Sequence, residues 1–180
     1  MRWALFLVVS LALTTSIPRG ASARDPGVSH GFRSSAFESW INVVTSGALP
    51  PARRDPGVAY VSQGDRLVVI GGGSGGSATW LLNLAGLPTW TSVAETSPPN
   101  VSGDDRAVYD PINNRVILVT APMQVWALNL ANPTGWVLLA AGSSPPPRSF
   151  YAATYDALRN RLLIFGGGPY TGLFNDVWAL

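Results

Sequence analysis

The chain has 180 residues, 47% of them hydrophobic, with twelve Arg, no Lys, ten Asp plus Glu, one His and no Cys. This hydrophobic content indicates a packed core, in one domain of ordinary size or part of a larger one. The absence of Cys excludes disulfides, thiolate metal sites and a cysteine nucleophile.

The amino terminus predicts export. Met1 and Arg2 give a positive start, residues 3–13 form an apolar run of eleven residues, and Ala21-Ser22-Ala23 is a small-residue cleavage pattern. The run is shorter than the roughly 20 residues that a membrane-spanning helix needs. We therefore expect a signal peptide over 1–23, cleaved after Ala23, and a secreted, extracytoplasmic product without a membrane span.

Removal of that segment changes the charge balance. Arg2 and Arg19 leave with it, so ten Arg face ten acidic residues and no basic stripe remains. Nucleic acid is therefore not an expected partner. Residues 24–39 are polar and rich in turn formers, and we interpret them as a leader that contains the one histidine, His30.

From residue 40 onward the sequence is periodic. Trp40, Trp90 and Trp136 each open a short β-prone run, 50 and 46 residues apart, and each run is followed by a proline-rich turn. Each repeat also contains a strand ending in Tyr and, six residues later, an Arg that opens an apolar strand. The three pairs are Tyr60 and Arg66, Tyr109 and Arg115, and Tyr155 and Arg161.

The constant six-residue spacing predicts a β-hairpin, because loop length fixes which residues face each other and an insertion would invert every following side chain. Left-handed turn residues are expected at Gly64-Asp65, Asn113-Asn114 and Arg159-Asn160. We further expect Asp110 to pair with Arg115, and Asp156 with Arg161, across their hairpins.

Each unit thus reads as four strands: a small-residue strand, an apolar strand, one that contains Trp and one that begins with Trp. A period of this length with four strands is typical of a β-propeller blade. Counting from the Trp40 run, we expect twelve strands in repeat units of about 40–89, 90–135 and 136–180. The predicted fold class is all-β, with about three blades' worth of four-stranded antiparallel sheet.

The doublets Gly71-Gly72 and Gly166-Gly167, each followed by a Trp-containing strand, resemble kelch repeats over most of residues 40–180. The middle copy departs from this pattern with Thr120-Ala121-Pro122, where we expect a turn built differently. Kelch-like propellers include galactose oxidase, a copper enzyme, and sialic acid mutarotases. The first activity is excluded here because the chain has no Cys and one His.

Three blades are fewer than the 4 to 8 of closed propellers. We therefore expect either that the chain is the amino-terminal part of a longer propeller, or that it covers its open blade faces by self-association. Two copies would supply six blades.

Candidate ligand-binding residues lie in the loops that join one blade to the next. In propellers such loops cluster at one end of the channel, where arginines could hold carboxylates or sugar hydroxyls, or could pair with neighbouring acids. Asp104 and Asp105 are adjacent near a strand start, so they point to opposite faces and make a poor proton-sharing pair. The set comprises Arg53, Arg54, Asp55, Asp104, Asp105, Arg106 and Arg148.

We expect no catalytic residue, metal or cofactor in this chain. The predicted function is an exported binding or scaffold module for a protein or a glycan. The alternatives are a mutarotase-like enzyme whose catalytic residues lie partly outside the chain, and a passive structural part of a cell-surface protein. Asn100-Val101-Ser102 matches a glycosylation sequon, which matters only in a host that glycosylates secreted proteins.

Overall fold

A computed structural model describes residues 40–73, 76–139 and 143–180. The predicted signal peptide, the leader and His30 lie outside these ranges. Within them the chain forms twelve strands and no helix, so the described residues hold no helix long and apolar enough to cross a membrane. The all-β prediction is confirmed.

The strands form three sheets, none of which is closed. We call them the first, middle and last sheets. The first sheet comprises β1 (Ser46–Gly47), β2 (Gly57–Val61), β3 (Arg66–Ile70), β4 (Thr79–Asn83) and β5 (Thr89–Ser92). The middle sheet comprises β6 (Arg106–Asp110), β7 (Arg115–Thr120), β8 (Gln124–Asn129) and β9 (Trp136–Leu138), and the last sheet β10 (Ala152–Asp156), β11 (Arg161–Phe165) and β12 (Val177–Ala179). The strand orders are β1-β5-β4-β3-β2, β6-β7-β8-β9 and β10-β11-β12, and apart from β1 each strand pairs antiparallel with the strand next to it in sequence within its sheet.

The first strand differs from the prediction. Trp40 is fully exposed and the run from Trp40 to Val43 forms no strand. The strand begins instead at Ser46, where it pairs parallel with β5 through Ser46 and Thr89. Ser46 N–H donates to the carbonyl of Pro88 at 2.8 Å, and the hydroxyls of Ser46 and Thr89 lie 2.9 Å apart. Polar pairing at the sheet edge, rather than the β propensity of the Trp40 run, decides the location.

The three predicted hairpins are confirmed, and a side-chain contact explains their constant length. Asp65, Asn114 and Asn160 all adopt left-handed backbone, with φ of 47°, 46° and 50° respectively. The hydroxyl of the tyrosine five residues earlier donates to the side-chain oxygen of each turn residue. Tyrosine, turn residue and arginine are therefore fixed in one register.

The expected ion pairs across the hairpins are also present. Arg115 Nε lies 2.7 Å from Asp110 Oδ2, and Arg161 Nε lies 3.0 Å from Asp156 Oδ2. Asp110 is fully buried, and hydrogen bonds from Asn113 and Arg115 outweigh its burial and hold the pKa of the carboxyl below its usual value.

The glycine doublets let the chain pass close to the loop that enters the same sheet. A Cβ on Gly72 would lie 2.9 Å from the Arg54 carbonyl oxygen, and one on Gly167 would lie 2.4 Å from that of Ser149. Both glycines also have positive φ. The middle copy has no such doublet, and there β7 and β8 are joined by a tight turn in which Met123 N–H donates to the Thr120 carbonyl at 2.7 Å. The expectation of a different turn there is confirmed.

Sheets pack face to face, and the middle sheet is buried on both sides. Val116 and Leu118 of β7 pack against Val68 and Ile70 of the first sheet. The intervening residues, Ile117 and Val119, pack against Leu162 and Ile164 of the last sheet. Alternation within one strand therefore supplies both cores, which accounts for the four consecutive apolar residues 116–119 of β7.

Truncation of Leu118 tests this packing. The side chain is fully buried between the sheets, so we expect Leu118→Ala to lower the unfolding free energy by about 3 kcal/mol. Leu158→Ala is the matched control, because Leu158 is 85% exposed at a hairpin tip, and it should change stability by less than about 0.5 kcal/mol. Chemical denaturation of both variants measures the difference, and equal losses would contradict the two-sided core.

Candidate ligand-binding cleft

The loops that precede β2, β6 and β10 meet at one end of the sheets. Counted back from the hairpin tyrosine, Asp55, Asp104 and Phe150 occupy the same place in the three repeats, five residues before Tyr60, Tyr109 and Tyr155. The three side chains line one cleft of about 470 Å³. Because β6 lies beside both β2 and β10, the positions that the repeat makes equivalent become neighbours in space.

The cleft and an adjoining concavity together bring in five of the seven residues predicted from the sequence. Asp55, Asp104, Asp105 and Arg106 line the cleft together with Phe150. The adjoining concavity of about 350 Å³ shares Asp55, Asp104 and Phe150, and adds Arg54 and Tyr170. We call these two connected depressions the loop cleft.

Asp105 is the most buried acid of the loop cleft, with 1% of its surface exposed. Its Oδ2 accepts the N–H groups of Ser102 at 2.7 Å and Gly103 at 3.2 Å. Oδ1 is buried and accepts no hydrogen bond from any residue that the structure describes. An unpaired buried carboxylate oxygen is costly, and such groups need a functional or solvent partner.

Arg106 is held between the middle and last sheets. Its Nε donates to the Tyr151 carbonyl at 3.2 Å, and the guanidinium lies 5.6 Å from the centre of the Tyr151 ring. The Tyr151 hydroxyl in turn donates to the Val119 carbonyl at 3.1 Å, and burial raises the pKa of this tyrosine far above its usual value. This network fixes the wall of the cleft.

Arg54 and Asp55 form an exposed ion pair with an Arg54 Nε to Asp55 Oδ2 distance of 3.6 Å. Exposed pairs of this kind contribute little to stability. The expected pairing between neighbouring charges is therefore present here, but it leaves both side chains accessible to a ligand.

Sequence reasoning missed two aromatic residues. Phe150 and Tyr170 are 61% and 90% exposed, and their rings meet edge to face with centroids 5.9 Å apart. Phe150 has φ of 58° and Asp55 has φ of 51°, a strained conformation for a phenylalanine. The repeat spacing in the sequence already makes Phe150 equivalent to Asp55 and Asp104, because each lies five residues before its hairpin tyrosine.

Arg148 and Arg53 do not line the loop cleft. Arg148 is 6% exposed; its Nη1 donates to the Gly166 carbonyl at 2.9 Å, and its two terminal nitrogens bind both oxygens of Asp176 at 2.6 and 3.0 Å. Arg53 repeats the first contact, since its Nη1 donates to the Gly71 carbonyl at 2.7 Å. The structure therefore gives both arginines a part in holding the glycine turn, which we call the arginine clamp.

The two clamps differ at one position. Asp176, two residues before Trp178, also accepts the indole N–H of Trp178 at 2.7 Å. The residue two before the equivalent Trp80 is Ala78, which offers Arg53 a carbonyl at 3.5 Å. Arg53 Nη2 and Trp80 Nε1 are consequently buried without a hydrogen-bond partner among the described residues.

The arrangement suits reversible binding of polar molecules. Two arginine side chains and the side chains of Asp55 and Asp104 offer donors and acceptors, and the exposed rings offer flat apolar faces. Over residues 40–73, 76–139 and 143–180, no three His, Cys, Asp or Glu side chains converge as a metal site.

A scan against protein-family models finds no match, and a search of curated proteins finds no relative of this chain.

The incomplete clamp leads to a stability prediction. We expect Ala78→Asp to raise the unfolding free energy by about 1 kcal/mol, because the new carboxylate can accept from Arg53 Nη2 and Trp80 Nε1 as Asp176 does in the last sheet. Thermal or chemical denaturation measures the gain. Repeating the substitution in an Arg53→Gln background provides the control, since a gain that survives there does not come from the clamp.

The complete clamp leads to a pH prediction. Hydrogen bonds from Arg148, and next from Trp178, lower the pKa of Asp176 from 3.8 to about 2. A carboxyl with a lowered pKa in the folded state stabilises the protein above its unfolded pKa, and this contribution is lost as the pH falls through the folded value. The stability difference between wild type and Asp176→Asn should therefore shrink between about pH 4 and pH 2. A difference that stays constant over this range would exclude the charged clamp.

Proposed function

We propose that this chain is an exported kelch-type β-propeller segment that acts as a binding module, and that the loop cleft is its ligand site. The three sheets of sequential antiparallel strands, the inner strands β2, β6 and β10 lying side by side, and the glycine turns support the propeller assignment. Export rests on the sequence of residues 1–23.

The observation that carries the binding proposal is the convergence of Asp55, Asp104 and Phe150 in one cleft. Equivalent positions meet only if the repeats are arranged around a common end, and here Phe150 holds strained backbone with its side chain at the cleft. Strain of this kind tends to occur where a function requires it.

A carbohydrate is the ligand class that this chemistry suits best. Sugar rings present hydroxyl groups along their edges and apolar C–H faces, which match aspartate and arginine side chains beside exposed aromatic rings. A protein ligand would use the same groups through its polar side chains.

Substitution of Phe150 separates binding from stability. We expect Phe150→Asn to abolish glycan binding, because it removes the exposed ring, while the unfolding free energy stays the same or rises, because Asn tolerates left-handed backbone. Asp104→Asn should weaken binding through loss of a charged acceptor. A glycan array with the secreted chain, followed by calorimetry on any hit, measures both effects.

Asp65→Asn is the matched control for Asp104→Asn, since Asp65 lies at the hairpin end of β2, away from the cleft, and Asn retains its acceptor for Tyr60. Binding that survives Phe150→Asn would place the ligand elsewhere. Absence of any saturable glycan or protein ligand would favour the passive structural alternative, and turnover of a bound sugar would favour the enzyme alternative.

A further inference from the structure

Every sheet of this protein has two faces, and the internal packing shows what each face covers. We name them from the order of the chain: the forward face packs on the next sheet and the rear face on the previous one. In the middle sheet, Ile117 and Val119 belong to the forward face, while Val116 and Leu118 belong to the rear face.

The last sheet has a forward face with no sheet against it among the described residues. Leu163 and Phe165 occupy the places that Ile117 and Val119 hold in the middle sheet, and Val177 the place of Val125. Their equivalents are buried, whereas Phe165 and Val177 are 54% and 65% exposed. A shallow concavity of about 250 Å³ on this face is lined almost wholly by apolar side chains.

The first sheet has the opposite open face. Val58, Tyr60, Leu67 and Trp80 lie on its rear face and are exposed or half-buried, whereas Val69 and Leu82 on the same face are buried. Their equivalents in the last sheet include Ala153 and Leu162, which pack against the middle sheet. Within the part of the chain that the structure describes, one forward face and one rear face are therefore unpaired, each made of the residue types that pair inside the molecule.

We propose that two copies of this chain associate head to tail, the forward face of each last sheet packing on the rear face of the other copy's first sheet. Each copy supplies the face that the other lacks, so both open faces are covered at once. The assembly would hold six sheets, which lies within the range of 4 to 8 blades in closed propellers. A head-to-tail contact that closes in this way gives a discrete dimer rather than a fibre.

The internal contact also indicates which residues meet. Gly57 is paired in register with Ile70, and the place of its missing Cβ lies 3.4 Å from Ala107 Cβ and 3.1 Å from Leu118 Cδ1. Ala152, which pairs in register with Phe165, is the equivalent of Gly57, and Val58 is the equivalent of Ala107. Ala152 of one copy should therefore meet Val58 of the other, with Phe165 beside this contact. This contact depends on the stacking of sheets and not on the loop cleft.

Sedimentation velocity of the secreted chain tests the proposal, and we expect a dimer. Phe165→Arg and Val58→Glu should each weaken dimerisation by more than about 100-fold, because each places an unpaired charge in both contacts. Both side chains are about half exposed, so the variants should fold, and circular dichroism checks this. Leu158→Glu, at an exposed hairpin tip, is the control and should leave the dimer intact.

Mixing the two variants provides the decisive measurement. In a mixed dimer one contact is unaltered on both sides and the other pairs arginine with glutamate, so we expect the dimer to return. A monomeric wild type, a dimer unaffected by either substitution, or open-ended filaments would each overturn the proposal. Glycan binding by the separated monomers distinguishes failure of this inference from failure of the proposed cleft.

Discussion

Burial of both faces of the middle sheet is the constraint on which the rest of the structure depends. Because β7 is covered on two sides, neighbouring residues such as Val116 and Ile117 enter different cores. A shift of the strand by one residue would exchange these two residues between the cores without moving either side chain into solvent. Alternation alone therefore cannot fix the register here, in contrast to a sheet with one wet face. The register must be fixed elsewhere, at the ends of the strands.

The hairpins fix the register in all three sheets, and the arginine clamps add a second fixed point in the first and last sheets. At one end, each tyrosine hydroxyl binds the turn residue five positions later, so hairpin length cannot change without loss of that bond. At the other end, Arg53 and Arg148 bind the carbonyls of Gly71 and Gly166 and hold the glycine turn against the incoming loop. Buried charge-assisted hydrogen bonds are directional, whereas apolar packing is not. The polar groups thus specify the arrangement that the apolar groups stabilise.

The loop cleft follows from the same geometry. With strand ends fixed in equivalent places, the loops before β2, β6 and β10 have to arrive at one end of the sheets, and residues at equivalent positions become neighbours. Loop positions are free to differ in chemistry because they carry no part of the core. This is how two aspartates and a phenylalanine come to occupy one repeat position while the hairpin tyrosine is the same in all three copies.

Spacing and turn chemistry in the sequence predicted the three hairpins, the Asp110 to Arg115 pair and the unusual turn after Thr120, because these depend on residues close together in the chain. The sequence also located the inter-repeat loops, and five of the seven residues selected there do line one cleft. The tertiary structure alone decided the rest. It replaced the Trp40 strand by Ser46–Gly47, since an edge strand depends on its partner β5. It showed that Arg148 binds Asp176 and that Phe150 and Tyr170 lie at the cleft. The environment of an arginine or of an exposed ring is set by residues that are distant in sequence, and only the folded chain brings such residues together.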